Sequence, residues 1–236
     1  RFIFHSPSRK LTLGRGSTVM TSYQPGTRSK LKRAHQRAAY DFETVHAAFD
    51  SMPMCHVGFV IDGQPYVTPT IQWRKGNHLY WHGSSASRMI KSLKDGAPAC
   101  VTVSQFDGFV MARSPFHHSV NYRSAMAFGT CHAIEGRDEK EQALFDMFEH
   151  LFPGRWEDVR GNTEKELKAT TVIVMEIEEA ASKIRNEPPV DDEEDYDEVD
   201  CWAGVLPIVS KFAAPEDDPK LRQGIAFPDY LKGFLP

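Results

Sequence analysis

Leu79 to Lys94, LYWHGSSASRMIKSLK, reads as the end of a strand, a turn of small residues and the start of a helix. Small residues from Gly83 to Ser87 let backbone N–H groups approach a ligand, and the serines add hydroxyl donors. Arg88 and Lys91 are three residues apart, roughly on one helical face, so a guanidinium and an ammonium could share one anion. That set of groups suits a phosphate. The same residues also describe a serine-capped helix with a solvated basic face, and the segment alone does not choose between the two.

The flanking sequence alternates apolar and β-branched runs with short turn signals. CHVGFVID (55–62), PYVTPTIQWR (65–74) and HLYWHG (78–83) are separated by Asp62-Gly63 and by Lys75-Gly76-Asn77, the pattern of an antiparallel meander. ACVTVSQFDGFVMAR (99–113), SVNYRSAMAFGTCHAIEG (119–136) and TTVIVMEIEEA (170–180) continue the strands. Two helices interrupt them. One follows an N-cap at Asp41 with Val45, Ala48, Phe49 and Met52 on one face; the other opens on a D-E-K-E capping box at Asp138–Glu141 and carries Leu144, Met147, Phe148 and Leu151. So little helix among so many strands predicts a mainly β, α+β domain closed into a barrel or sandwich.

Charge divides the 236-residue chain more than its net of −4 suggests. Nine Lys or Arg and no acid occupy residues 1–40, and nine acids and no base occupy Glu187–Asp200. Removing those nine negative charges leaves the remainder at +5, which suits an anionic ligand. Residues 1–37 read as a basic flexible arm, with Met20 as an alternative start and an Arg-rich composition that can also resemble a transit peptide. Residues 38–236 read as one domain, with 187–200 a solvated acidic loop and 201–236 a segment that packs back. The basic arm contains no recognisable nucleic-acid-binding module, and no apolar run approaches the roughly 18 residues needed to cross a bilayer. A soluble, cytoplasmic protein without nucleic-acid or membrane partners is expected.

Cys55, Cys100, Cys131 and Cys201 are widely spaced without a CxxC pair, which predicts reduced, buried thiols. No HExxH motif or Cys/His grouping supports a metal site, and no GxSxG, GxGxxG or P-loop is present. His82, at the strand end, fits a proton donor, a contact to a substrate anion or a haem ligand, and equally a half-buried structural histidine.

Taken in order, CHVGFVIDGQPYVTPT, LYWHGSSASRMIKSL, NYRSAMAFG and CWAGVLPI resemble the landmarks of the pyridoxamine 5'-phosphate oxidase-like, FMN-binding split-barrel family, nearest its flavin-nucleotide-binding, nitroimidazole-resistance branch. The resemblance runs from about Arg33 to Pro215. It implies a six-stranded split β-barrel with peripheral helices, a homodimer, and FMN between the subunits. Thr68, Pro69, Thr70 and Ile71 would flank the flavin ring, with Tyr80, Trp81, His82 and Gly83 along its ring-to-ribityl side. Ser87, Arg88 and Lys91 would hold the phosphate, and Ser104, Gln105, Tyr122 and Arg123 match further family positions. The family's true oxidases carry an Arg-Lys pair where this chain has Arg88-Met89, and a C-terminal substrate-phosphate motif of Arg and His that LRQGIAFPDYLKGFLP does not match, which argues against vitamin B6 oxidation.

The implied activity is flavin-dependent oxidoreduction from a nicotinamide donor to a small nitroaromatic or quinone-like acceptor, with His82 as the catalytic residue. A non-catalytic flavin sensor is the alternative from another class. A haem-binding split barrel, with His82, His117 or His118 on the iron, is a third.

Overall fold

The computed structural model describes residues 20–235. Residues 1–19, half of the predicted arm, lie outside them. A two-residue strand β1 (Ala38–Ala39) leads into α1 (Phe42–Ser51), whose N-cap Asp41 accepts a hydrogen bond from the Thr44 amide at 2.7 Å. The strands β2 (Met54–Ile61), β3 (Gln64–Lys75) and β4 (His78–Ser84) form the expected meander. Their turns need left-handed backbone at Asp62, Gly63 and Gly76, with φ of 50°, 79° and 59°. Then come α2 (Arg88–Leu93), the long hairpin β5 (Asp95–Met111) and β6 (Ser119–Ala133), α3 (Arg137–Leu151), α4 (Glu164–Ala169), β7 (Thr170–Glu176) and β8 (Glu179–Arg185). A helical turn α5 (Glu193–Glu198) and a short strand β9 (Gly204–Pro207) complete the elements.

Six strands close on themselves. β5 pairs with β2, β2 with β3, β3 with β4, β4 with β7, β7 with β6, and β6 returns to β5, all antiparallel. β8 and β1 extend the sheet from β6, and β9 extends it from β5. The predicted six-stranded split barrel is therefore present.

Its interior holds Val57, Leu79, Trp81, Val101 and Met175, with Phe49 of α1 and Leu93 of α2 plugging the openings. Fully burying one such side chain contributes roughly 1.5–3 kcal/mol. A second cluster packs Leu144 and Met147 of α3 against Trp73 and Val172 on the outer sheet surface. Buried Gln72 joins the end of α1 to β3, its amide donating to the carbonyls of Phe49 (2.6 Å) and Met52 (3.0 Å). The Phe49 carbonyl also accepts from the Met52 amide, so Gln72 adds a second donor there at the helix end.

Several expectations need correction. α3 begins at Arg137 after Gly136, without a side-chain cap, so Asp138–Glu141 is not a capping box. Arg137 instead gathers the Asp138 and Glu141 carboxylates. The capping box occurs at Thr163–Glu166. Cys201 is exposed and Cys100 half-buried, so only Cys55 and Cys131 fit the expectation of buried thiols. Burial pushes both of those thiols up to about 12.

Residues 20–37 are held against the barrel. Tyr23 is buried, and Arg28 reaches Glu178 and Glu179 at 3.0 and 2.7 Å. The acidic segment is anchored too, because the buried Asp191 carboxylate accepts from the Arg113 amide and guanidinium. No helix among the described residues is long and apolar enough to span a membrane.

Candidate functional site

β4 pairs with β3 and runs through a short turn into α2, which packs against β5, with lesser contact to β2, β6 and β7. A half-open cavity of about 400 Å³ lies at this junction, lined by Phe59, Tyr66, Thr68, Pro69, Thr70, His82, Gly83, Ser87, Arg88 and Met89. Gly83 sets how closely α2 approaches. A Cβ there would lie 3.2 Å from Ile90 Cγ1 and 4.0 Å from Ser87 Oγ, so any side chain would press the helix outward.

The turn's hydroxyls divide their work. Ser84 Oγ accepts from the Ala86 amide at 3.3 Å, and Ser85 Oγ donates to the Ala169 carbonyl and contacts Thr171 Oγ1 at 2.8 Å. Ser85 is thus occupied in shaping the turn, whereas Ser84 only accepts and does not line the cavity. Ser87 Oγ accepts from the Ile90 amide at 3.2 Å as N-cap, leaving its own O–H proton free to donate. Arg88 forms no ion pair among the described residues; its guanidinium lies over the Tyr66 ring, 5.0 Å from the centroid.

His82 differs from the scattered histidines. Its Nδ1 is buried without a hydrogen-bond partner among the described residues. Burial alone holds the imidazole below its usual pKa, so near neutral pH it carries no charge and keeps a free lone pair. His117 sits 3.3 Å from Asp192, and His118 Nδ1 lies 2.8 Å from the Ser114 carbonyl. Those two are engaged by the acidic segment and by their own turn.

Of the residues singled out in the sequence, the cavity brings together Thr68, Pro69, Thr70, His82, Gly83, Ser87 and Arg88. Ile71 lines a different groove, on the far side of β3. Tyr80 stacks on Trp73 at 5.6 Å, Trp81 is fully buried in the barrel, and Lys91 is exposed without lining the cavity. Ser104 and Gln105 pair with Ser124 and Arg123 across the β5–β6 ladder, and Arg123 is bidentate on Asp107 at 2.9 and 3.0 Å. Tyr122 pairs with Arg185 of β8. None of these four residues lines the cavity within one chain.

Phe59, Tyr66 and Met89 were not anticipated. Period-two alternation contained the signal for Tyr66, which shares a strand face with Thr68 and Thr70, and Phe59 is its cross-strand partner.

The residues fit a flavin phosphate. A cation without a carboxylate partner, a free hydroxyl proton and a glycine-permitted close approach converge on one cleft. No group of three or more His, Cys, Asp or Glu side chains able to hold a metal ion by themselves occurs among the described residues.

A closed six-stranded antiparallel barrel with a cation-bearing cleft at the β4–α2 junction defines the class as a flavin-type split barrel. Residues 41–184 match the family model described as pyridoxamine 5'-phosphate oxidase, and the chain belongs to that family. Among solved structures, the flavocytochrome Anf3 from Azotobacter vinelandii is 42% identical, with 90% of this chain and 98% of that chain aligned and a TM-score of 0.85. The FAD and heme binding protein from Mycobacterium smegmatis is 34% identical over 84% of this chain and 97% of that one, with a TM-score of 0.80. A Bacteroides thetaiotaomicron protein named for 5-nitroimidazole antibiotic resistance is 22% identical over 62% and 86%, at a TM-score of 0.53, and shares the fold. No curated protein sequence matches.

Proposed function

We propose that this protein is a flavin-dependent redox protein that also carries haem, taking electrons from a nicotinamide donor and delivering them to a small acceptor. The observation that carries the reading is the β4–α2 cleft, where among the described residues Arg88 has an aromatic face as its partner and forms no pair with a carboxylate. Ser87 and Arg88 would hold the flavin phosphate, with Thr68 and Thr70 offering hydroxyls along the same wall. FMN, the flavin expected from the sequence, shares its phosphate with FAD, the flavin named for the Mycobacterium protein, and the cradle fits that shared group.

When bound, the flavin supplies hydride and single-electron transfer, and haem iron supplies single-electron chemistry. His82 is the iron ligand in this reading. A neutral imidazole with a nitrogen that has no hydrogen-bond partner among the described residues suits ligation. Two structures more than 30% identical, described as a flavocytochrome and as binding FAD and haem, support a haem-carrying reading over a purely flavin-based one.

A homodimer belongs to the proposal. The outer barrel face exposes Val60, Val67, Phe106, Phe109 and Met126, an apolar surface of the kind that a second subunit covers.

Absorption of the purified protein tests all of this. Flavin bands near roughly 375 and 450 nm and a haem Soret band are expected, and the mass of the released flavin distinguishes FMN from FAD. His82→Ala should lose the Soret band and keep the flavin bands. Absence of flavin bands after both FMN and FAD have been supplied sinks the proposal. Bound flavin that neither NADH nor NADPH reduces would instead favour the sensor reading.

A further inference from the structure

The far side of β3 borders a second and larger space. A groove of about 630 Å³ lies between the start of β2 and β3, the end of α3 and the C-terminal segment. Pro53, Met54 and Ile71 form its floor, with Leu151 and Phe152 at one side. The opposite wall comes from the tail, through Phe212, Phe227, Leu231 and Phe234.

The tail is fixed at both ends. β9 pairs with β5, and the Tyr230 hydroxyl accepts from Arg155 at 3.0 Å and donates to Asp158. Phe212 meets Phe234 edge-to-face, with centroids 5.2 Å apart. The space is thus preformed.

Its polar groups are few. Asp50 is tied bidentate to Arg74, and Ser51 Oγ donates to the Ala48 carbonyl. His150 is the one ionisable side chain of the lining without an ion pair or hydrogen bond among the described residues. A charged ligand would find no countercharge here.

Size narrows the occupant further. The volume falls within the range of roughly 300–1,000 Å³ of small-molecule sites. Docking of a second copy takes about 800 Å² from each partner.

The groove also lies beside the cleft. Side chains alternate along β3, so Thr70 lines the cleft and its neighbour Ile71 lines the groove. The β3–β4 ladder ends at Gln72–Trp81, and the next residues on the two strands are Ile71 and His82. One strand's thickness separates the two spaces.

We infer that this groove binds an uncharged, ring-bearing small molecule with an oxygen acceptor for His150, and that this molecule is the electron acceptor. The second half rests on the redox reading above.

Calorimetric titration of the purified protein with menadione, an uncharged naphthoquinone, is the test. Saturable binding of one molecule per chain is expected. Ile71→Asp and Phe227→Ala should each weaken it at least tenfold with the flavin bands unchanged, and a sulfonated naphthoquinone should bind at least tenfold more weakly than menadione. Ile71→Trp, which fills the groove without adding charge, covers the case in which Ile71→Asp fails to fold. Menadione affinity unchanged within twofold in both Phe227→Ala and Ile71→Trp overturns the site. So does conversion of a dimer to monomers by Ile71→Trp with menadione affinity intact, which would give the groove to a second copy. Binding without any flavin in the protein removes the acceptor role and the redox reading while leaving the site itself.

Discussion

Arg185 and Arg88 are two arginines placed on the same barrel in opposite circumstances. Arg185, 4% exposed at the end of β8, donates to Asn121 Oδ1 and to the carbonyls of Glu187 (3.0 Å) and Pro188 (3.1 Å). Asn121 completes the cluster by donating to the Glu187 carbonyl at 3.1 Å. Arg88 has a tyrosine ring and otherwise faces an open cleft. A guanidinium whose two terminal nitrogens are matched by the protein's own acceptors, with Nε alone left without a hydrogen bond, is a structural joint, and one without a polar partner among the described residues is available to a ligand.

The largest expected effect tests the matched arginine. Arg185→Ala removes one donor group from three acceptors and should lower stability by roughly 3 kcal/mol, since hydrogen bonds to charged groups contribute about 1.5–3 kcal/mol each, while Asn121 Oδ1 keeps the Glu187 amide and the Glu187 carbonyl keeps Asn121 Nδ2. Urea denaturation measures it, and a loss below about 1 kcal/mol would break the comparison.

The unmatched arginine should behave in the opposite sense. Arg88→Ala is expected to weaken flavin binding by about ten- to a hundredfold, or about 1.4–2.8 kcal/mol, while shifting the urea-derived stability by less than about 0.5 kcal/mol. A flavin affinity equal to that of the unmodified protein would return the β4–α2 turn to a capped surface helix.

The smallest effect concerns His82. Burial depresses its folded-state pKa, so below the ordinary histidine value of about 6.5 the unfolded chain binds more protons than the folded one. Stability of the cofactor-free protein should therefore fall as pH drops through that region and recover above it. His82→Gln should flatten the slope, read from denaturation midpoints between about pH 5 and 8. The slope would not vanish, because burial and Arg74 also depress His46.

The barrel was legible in the sequence because turn chemistry and alternation are local. Asp62-Gly63 and Gly76 mark the places where the backbone turns left-handed. The capping box was misplaced because Asp138–Glu141 satisfies the motif by spacing alone, while Arg137 competes for both carboxylates. Seven of the ten residues that line the cleft were legible for the same local reason: the β4–α2 turn and the β3 positions sit in short continuous stretches. Tyr66 and Phe59 were missed because their part depends on cross-strand register. Asp191 was misread as solvated because its partner, Arg113, is 78 residues away in sequence.

That last contact has a kinetic consequence. With Asp191 held by Arg113, and Arg113 lying 4.8 Å over Tyr196, the acids of α5 project from a fixed base. Fixed charge produces a directional field, whereas a loose tail would spread it through solvent. Anions approaching that side are slowed and cations hastened, by amounts that fade with added salt over a screening length of about 8–10 Å.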